Sequence, residues 1–255
     1  EGFFVGTGGW GLAPALDERV FRNWAGIEDV AESWMKGVTV EEGMRLAQRG
    51  MTEALMRAAA ARSGKRGFRV VVDKSAYAYS RFAARLHSLF PEACFVDIVR
   101  DGRDAAVSDV FMILAKGLAK HFPEENRAHI EAARAFHVEG KGEAVPLFNE
   151  WLLRRSAREW AEAVAGSAVA EQCFGARYVR FKYEEFLREP GRIAEALRVL
   201  GVSDSTEAVG ACVEAGAFKT LSGGRAPGQE DRGHFFRKGV AGDWRNHFRD
   251  EDRAV

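Results

Sequence analysis

Arg100, Asp101, Arg103 and Asp104 follow directly on an apolar run, residues 93–99, and Ser108 lies eight positions beyond Arg100. If a helix begins near Asp101, Ser108 stands about two turns in, on the side facing the next strand end. A guanidinium fork and a hydroxyl shared by one anion suit a phosphate monoester. The competing reading pairs Arg100 with Asp104 or another local acid and leaves Ser108 to pack. Spacing alone leaves both open.

A second group of cations lies in "HFFRKGVAGDWRNHF", residues 234–248, where Arg237 and Lys238 precede Gly239 and Gly242. Glycine tolerates positive φ and lets backbone N–H groups approach a ligand closely. Adjacent cations beside such backbone make an anion-binding nest. A solvated basic turn is the alternative, but Phe235, Phe236 and Trp244 flank the pair and suggest partial burial. In "YVRFKYEEFLREP", residues 178–190, a strand runs into Tyr183, whose ring could stack on a planar base or simply pack. His121, His129 and His137 recur every eight residues, nearly on one helical face, without an acid–cysteine set to complete a metal site.

The elements that must position these groups are legible in outline. Residues 68–73, 93–99 and 176–183 are rich in Val, Ile, Phe and Tyr and read as buried strands. Between them, Met44, Ala47, Met51, Leu55 and Ala58 share one helical face, as do Phe82, Leu86, Leu89 and Phe90, and Leu153, Ala157, Trp160 and Val164. Alternating strands and helices imply an α/β fold, a parallel sheet with helices on both faces, in a single domain. Ligands of such sheets bind beyond the carboxyl ends of the strands. Arg100 stands at one such end and Asp73-Lys74-Ser75 at another. Residues 111–150 read as helix and loop, with Gly140 and Gly142 marking a flexible patch.

The chain has 255 residues, enough for a sizeable core, and 37 basic residues balance 37 acidic ones. That balance gives no support to generic binding of nucleic acid or anionic membrane. Three scattered cysteines, Cys94, Cys173 and Cys212, read as thiols in a reducing compartment. No stretch approaches a membrane span and the first residues contain no signal peptide, so the expected location is cytoplasmic. Abundant Ala, Arg and Gly suggest a GC-rich bacterial source.

Taken together, Arg100 with Ser108, the strand into "YEEFLREP", and "RKGVAGDW" resemble the cytosolic-type sulfotransferases, over roughly residues 68–110 and 174–248. The resemblance implies a P-loop-type sheet and transfer of sulfonate from 3′-phosphoadenylyl sulfate (PAPS) to a hydroxyl or amine, leaving 3′,5′-adenosine bisphosphate (PAP). It implies that Arg100, Ser108, Arg237, Lys238 and Gly239 bind the 3′-phosphate, that Tyr183 and Phe218 contact the adenine, and that no metal takes part. Gly216 stands where the family often has a Thr. The acceptor would be a small molecule or a glycan, neither nucleic acid nor membrane is a partner, and a homodimer is compatible with it. Residues 10–45 and 111–150, with Trp10, Trp24, Trp34, Phe111 and Met112, would form the acceptor lid or ordinary core.

Two departures from the family pattern shape the expectation. The loop that grips the phosphosulfate should be a cation-bearing turn after the first strand, and only "FFVGTGGWG" offers itself, without a cation. The chain is therefore expected to be one sulfotransferase domain, 1–255, lacking that loop and a short C-terminal tail. The same stretch fits G-x-G-x-x-G at Gly6, Gly8 and Gly11, a dinucleotide fingerprint, but bulky Trp10 occupies the turn and Pro14 follows closely. The second departure concerns the base. Ala76 stands where many cytosolic members carry His, whereas Glu1-Gly2-Phe3-Phe4, one residue short of the E-x-x-F-F spacing, and Asp73-Lys74-Ser75 resemble the glycan-type branch better. Glu1 is then the first candidate for the base, Asp73 the second, and Lys74 would touch the sulfonate or the acceptor. Two rival readings are a P-loop small-molecule kinase, disfavoured by the missing G-K-[ST], and a non-catalytic sulfotransferase-like binding protein.

Overall fold

The computed structural model describes residues 3–6, 40–62, 70–74 and 78–254. Two compact units emerge, each built from two pieces of chain: Glu1–Phe95 with Ala163–Val179, and Val96–Glu162 with Arg180–Val255.

In the first unit, β1 (Phe3–Gly6) and β2 (Val70–Asp73) pair in parallel, with Phe3 opposite Val70 and Gly6 opposite Asp73. The Val-Val-Val run of β2 favours an extended chain because branched Cβ atoms restrict χ1 and pack on a pleated surface. β1 was not among the strands expected: four residues leading into glycines carry too short a pattern. Its presence puts the glycine-rich stretch immediately after a strand, at the carboxyl end that Asp73 shares. Residues 7–39 lie outside the described residues, as do Trp10, Trp24 and Trp34. Gly8 and Gly11 of the dinucleotide fingerprint lie outside the described residues as well.

Helix α1 (Val40–Arg62) opens with Glu41 and Glu42 and closes with Arg62, charges that complement its dipole. Its expected apolar face is not the buried one. Met51, Leu55 and Ala58 are exposed, whereas Gln48, Thr52 and Ala60 are buried. Gln48 is held there because Arg85, on α2 (Ala83–Leu89), donates to its Oε1. Arg49 joins the same packing, donating to the Leu89 carbonyl at 3.0 Å and pairing with Glu92. A small core of Ala83, Phe95, Ala170 and Phe174 completes the unit, with Phe95 stacked on Tyr178 at 5.9 Å.

Strands β3 (Phe95–Val99) and β4 (Tyr178–Lys182) are hydrogen-bonded neighbours, joined in the second unit by Arg180 donating to Asp97 at 3.1 Å. Immediately after β3 comes α3 (Gly102–Ala115), capped by Asp101, whose carboxylate accepts the Arg103 amide at 2.9 Å. Gly102 is required there: a Cβ would stand 2.9 Å from the Trp160 ring. Helix α4 (Glu124–His137) and the first half of α5 (Glu150–Phe174) bury Val107, Val110, Phe111, Leu114, Ile130, Phe148 and Leu152 in the main core, where Trp244 and Phe248 also pack. His121 ends a separate 3₁₀ turn, Ala119–His121, so only His129 and His137 share α4. Phe111 belongs to this core, the plainer of its two readings.

After β4, α6 (Tyr183–Arg188) begins at the strand tip, and Pro190 opens the 3₁₀ turn that leads into α7 (Ile193–Val199), as its ring geometry favours. Helix α8 (Thr206–Gly216) starts on a Ser205 cap, and a turn of helix, Phe218–Leu221, follows it. The remaining chain is loop and short 3₁₀ turns. The architecture is therefore a mixed helical α/β fold with a small parallel sheet, in keeping with the alternation of the sequence. No helix among the described residues is long and apolar enough to cross a membrane.

Candidate functional site

Arg100 leaves β3 at its carboxyl end, and four groups hold it. Its Nη2 donates to the Val240 carbonyl at 3.1 Å, and the same nitrogen lies 3.8 Å from Asp104. The guanidinium carbon stands 4.7 Å from the Tyr183 ring centroid. The backbone is fixed as well, because the Trp160 indole donates to the Arg100 carbonyl at 2.9 Å. Arg100 Nε is buried and has no acceptor. That donor is unsatisfied within the protein, and hydrogen bonds from a charged group are stronger than those between neutral ones.

Asp104 joins two parts of the chain far apart in sequence. One turn along α3 from Arg100 and 1 % exposed, it accepts from the Gly242 amide at 2.5 Å and the Trp244 amide at 2.9 Å. Those two bonds draw the 239–244 turn onto the start of α3. Gly242 adopts φ +81°, a left-handed conformation that glycine takes without a Cβ clash. Gly239, at φ +66°, is under a tighter constraint, since a Cβ there would fall 2.2 Å from Phe218 Cδ2. Phe218 is thus seated on the backbone of the glycine turn.

Arg237 and Lys238 converge on Asp243. The Lys238 ammonium lies 2.5 Å from Asp243 Oδ1, Asn246 donates to that oxygen at 2.8 Å, and Arg237 pairs with both Asp243 and Glu230. Burial would raise the Asp243 carboxyl, but donation from Lys238, Arg237 and Asn246 outweighs it and holds the group well below the usual carboxylate range. His247 stands 3.3 Å from the same carboxylate, and burial pushes its imidazole down, towards the neutral form. Glu230, Asp243 and His247 bring ligand atoms within 4.8 Å of one another, a spacing a metal could use. Here Arg237 and Lys238 supply the positive charge that those carboxylates need. The Arg237 guanidinium also lies 4.4 Å from the Phe111 ring centroid. Arg225 pins the loop from behind, donating to the carbonyls of Gln229 at 3.0 Å, Phe236 at 2.5 Å and Arg237 at 2.8 Å.

Of the residues singled out from the sequence, Arg100, Tyr183, Phe218, Arg237, Lys238 and Gly239 fall into one connected network within the second unit. Ser108 lies two helical turns beyond Arg100 in the same unit and is exposed. The pairing of Arg100 with Asp104, offered as a competing reading, is present, and it coexists with an unsatisfied Arg100 donor. Tyr183 is half-buried with Arg100 against its ring; burial raises its hydroxyl pKa and Arg100 opposes that. Asp73 and Lys74 belong to the first unit, at the carboxyl end of β2, where the Lys74 amide donates to the Asp73 carboxylate at 2.9 Å. Glu1 lies outside the described residues. Sequence reasoning passed over Asp104 as a holder of the turn, and Asp243, Glu230, His247 and Arg225 altogether. The "GDW" of the third motif was the available signal for Asp243, because an acid five residues from a Lys-Arg pair can return to it across a glycine turn.

A family model described as Sulfotransferase family matches residues 11–204. That span includes Asp73, Lys74, Arg100, Ser108 and Tyr183 and stops short of the loop carrying Arg237, Lys238 and Gly239, so the network around Asp243 is an observation separate from the match. No curated protein and no solved structure matches the chain. With the match covering most of its length, the chain belongs to the sulfotransferase family.

Proposed function

We propose that this protein transfers a sulfonate group from PAPS to a hydroxyl or amine of a small molecule or glycan, releasing PAP. The observation that carries the donor assignment is Arg100. Its guanidinium is braced by Val240, Asp104 and Tyr183, its Nε–H lacks an acceptor, and Asp104 ties it to the turn bearing Arg237, Lys238 and Gly239. A ribose 3′-phosphate suits such a nest: a dianion needs several donors, and Lys238 and Arg237 retain N–H groups beyond those given to Asp243 and Glu230. The Phe218 ring beside Gly239 would then cover the adenine, with Tyr183 acting on the other side through its contact with Arg100.

When bound, PAPS supplies an electrophilic sulfonate and a phosphate leaving group. The residues of this chain contribute position and charge, as in phosphoryl transfer, where catalysis is mostly alignment and electrostatic stabilisation. The 3′-phosphate cations do no chemistry themselves; their binding energy holds the reacting bond in line. A carboxylate, Glu1 first and Asp73 second, would take the proton from the acceptor oxygen or nitrogen, an effect of about 10²–10⁴-fold. Lys74, next to Asp73 at the β2 terminus, would offset charge on the sulfonate or orient the acceptor. Ser108 would add a hydroxyl to the 3′-phosphate.

The direct experiment incubates the purified protein with labelled PAPS and a metabolite extract, then identifies labelled products by mass spectrometry. A labelled sulfate ester or sulfamate, formed with stoichiometric PAP, is expected. Absence of both transfer and PAP binding would sink the assignment.

A further inference from the structure

We infer that Asp104 is a positioning residue for recognition of the donor's 3′-phosphate, an inference that rests on the function proposed above. Arg100 and the Arg237–Gly239 turn come from segments well over a hundred positions apart, and something must set their spacing. Asp104 does so with three contacts from one carboxylate: the Gly242 amide at 2.5 Å, the Trp244 amide at 2.9 Å and Arg100 Nη2 at 3.8 Å. The two amide bonds fix the turn so that the Val240 carbonyl meets Arg100 Nη2 at 3.1 Å, which directs the rest of the guanidinium. Asp104 is 1 % exposed, too buried to bind a ligand itself, and a buried carboxylate is tolerated only because these donors satisfy it. Its partner in the turn, Asp243, sits between the two amides that Asp104 holds, so the same bonds also aim the carboxylate that gathers Arg237 and Lys238. Asp104 therefore acts on all three cations without touching the donor.

The test is the ratio of affinities for PAP and for adenosine 5′-monophosphate, which lacks the 3′-phosphate, measured calorimetrically for the wild type and for Asp104→Asn. The amide side chain keeps the shape but removes the charge and one acceptor. A loss of PAP affinity of about tenfold or more, with unchanged affinity for the monophosphate, is expected. If the wild type prefers PAP and the variant keeps that preference, the inference is wrong while the sulfotransferase reading stands. Parallel loss of both affinities, with a lowered Tm, shows only a structural role and also overturns it. A wild type that does not distinguish the two nucleotides removes the donor reading and this inference with it. Should the Asn variant fail to fold, Asp104→Glu replaces it: the carboxylate survives but is displaced by one methylene. The ratio should then fall with kcat less affected than KM for PAPS, and an unaltered ratio refutes the assignment.

Discussion

Replacing Arg100 by Ala tests the donor pocket most directly. The guanidinium offers one unsatisfied N–H at Nε and further donors on its Nη atoms, while Val240, Asp104 and Tyr183 keep it in place before the ligand arrives. A hydrogen bond to a charged group contributes about 1.5–3 kcal/mol. Because the side chain is already ordered, little rotamer entropy is lost on binding. Loss of a two-pronged contact to a phosphate dianion should then cost about 3 kcal/mol, or roughly a hundredfold in Kd. Isothermal calorimetry with PAP reads this directly, and adenosine 5′-monophosphate serves as the control whose affinity should hold. Arg100→Lys keeps the charge but not the fork, and should recover only part of the loss. Circular dichroism and Tm establish that the variants are folded; Asp104 retains its two amide donors in both, so collapse is not expected. A folded Arg100→Ala protein whose PAP affinity differs from wild type by less than about threefold refutes the placement of phosphate at this strand end, since that is under 1 kcal/mol.

Other outcomes follow from the same geometry. Lys238→Ala should weaken PAP binding by more than about tenfold, through loss of one charge-assisted contact, and its effect should shrink at high salt. Gly239→Ala forces a Cβ against the Phe218 ring in a left-handed backbone, so PAP affinity and Tm should both fall; a variant with wild-type values of each would show that Phe218 does not lie on this turn in solution. Trp160→Phe removes the indole donor to the Arg100 carbonyl and should cost about 1 kcal/mol of stability, measured by urea unfolding, with no change in m. Burial lowers the imidazoles of His129, His137 and His247, so the unfolded chain binds protons first as pH falls below about 6.5. Stability should accordingly be complete above that pH and decline as pH drops towards the folded values. Tm measured between pH 7.5 and pH 5 should show the decline on the order of several degrees, and His129→Gln should lessen it by the share of one of the three groups; a level wild-type profile contradicts the buried neutral state.

Much of the local structure was written in the order of residues. Branched and aromatic runs marked β2, β3 and β4, and the charged residues from Asp101 marked a helix start, because each depends on torsional preferences or on caps within a few positions. The family too was legible, since its three motifs are short strings. What depended on packing was not. On α1 the apolar stripe of Met51, Leu55 and Ala58 faces outward while Gln48 and Thr52 are buried, an inversion decided by Arg85 reaching Gln48 from another helix. β1 exists through its ladder with β2 and has too few residues to announce itself. In the candidate site, the identity of the cations and their order along the chain were readable without coordinates. That Asp104 holds the turn against Arg100 emerged from packing alone, because a buried carboxylate's partners are set by distance in space and its amide donors, Gly242 and Trp244, lie some 140 positions along the chain, whereas Asp243 finds Lys238 and Arg237 within its own loop.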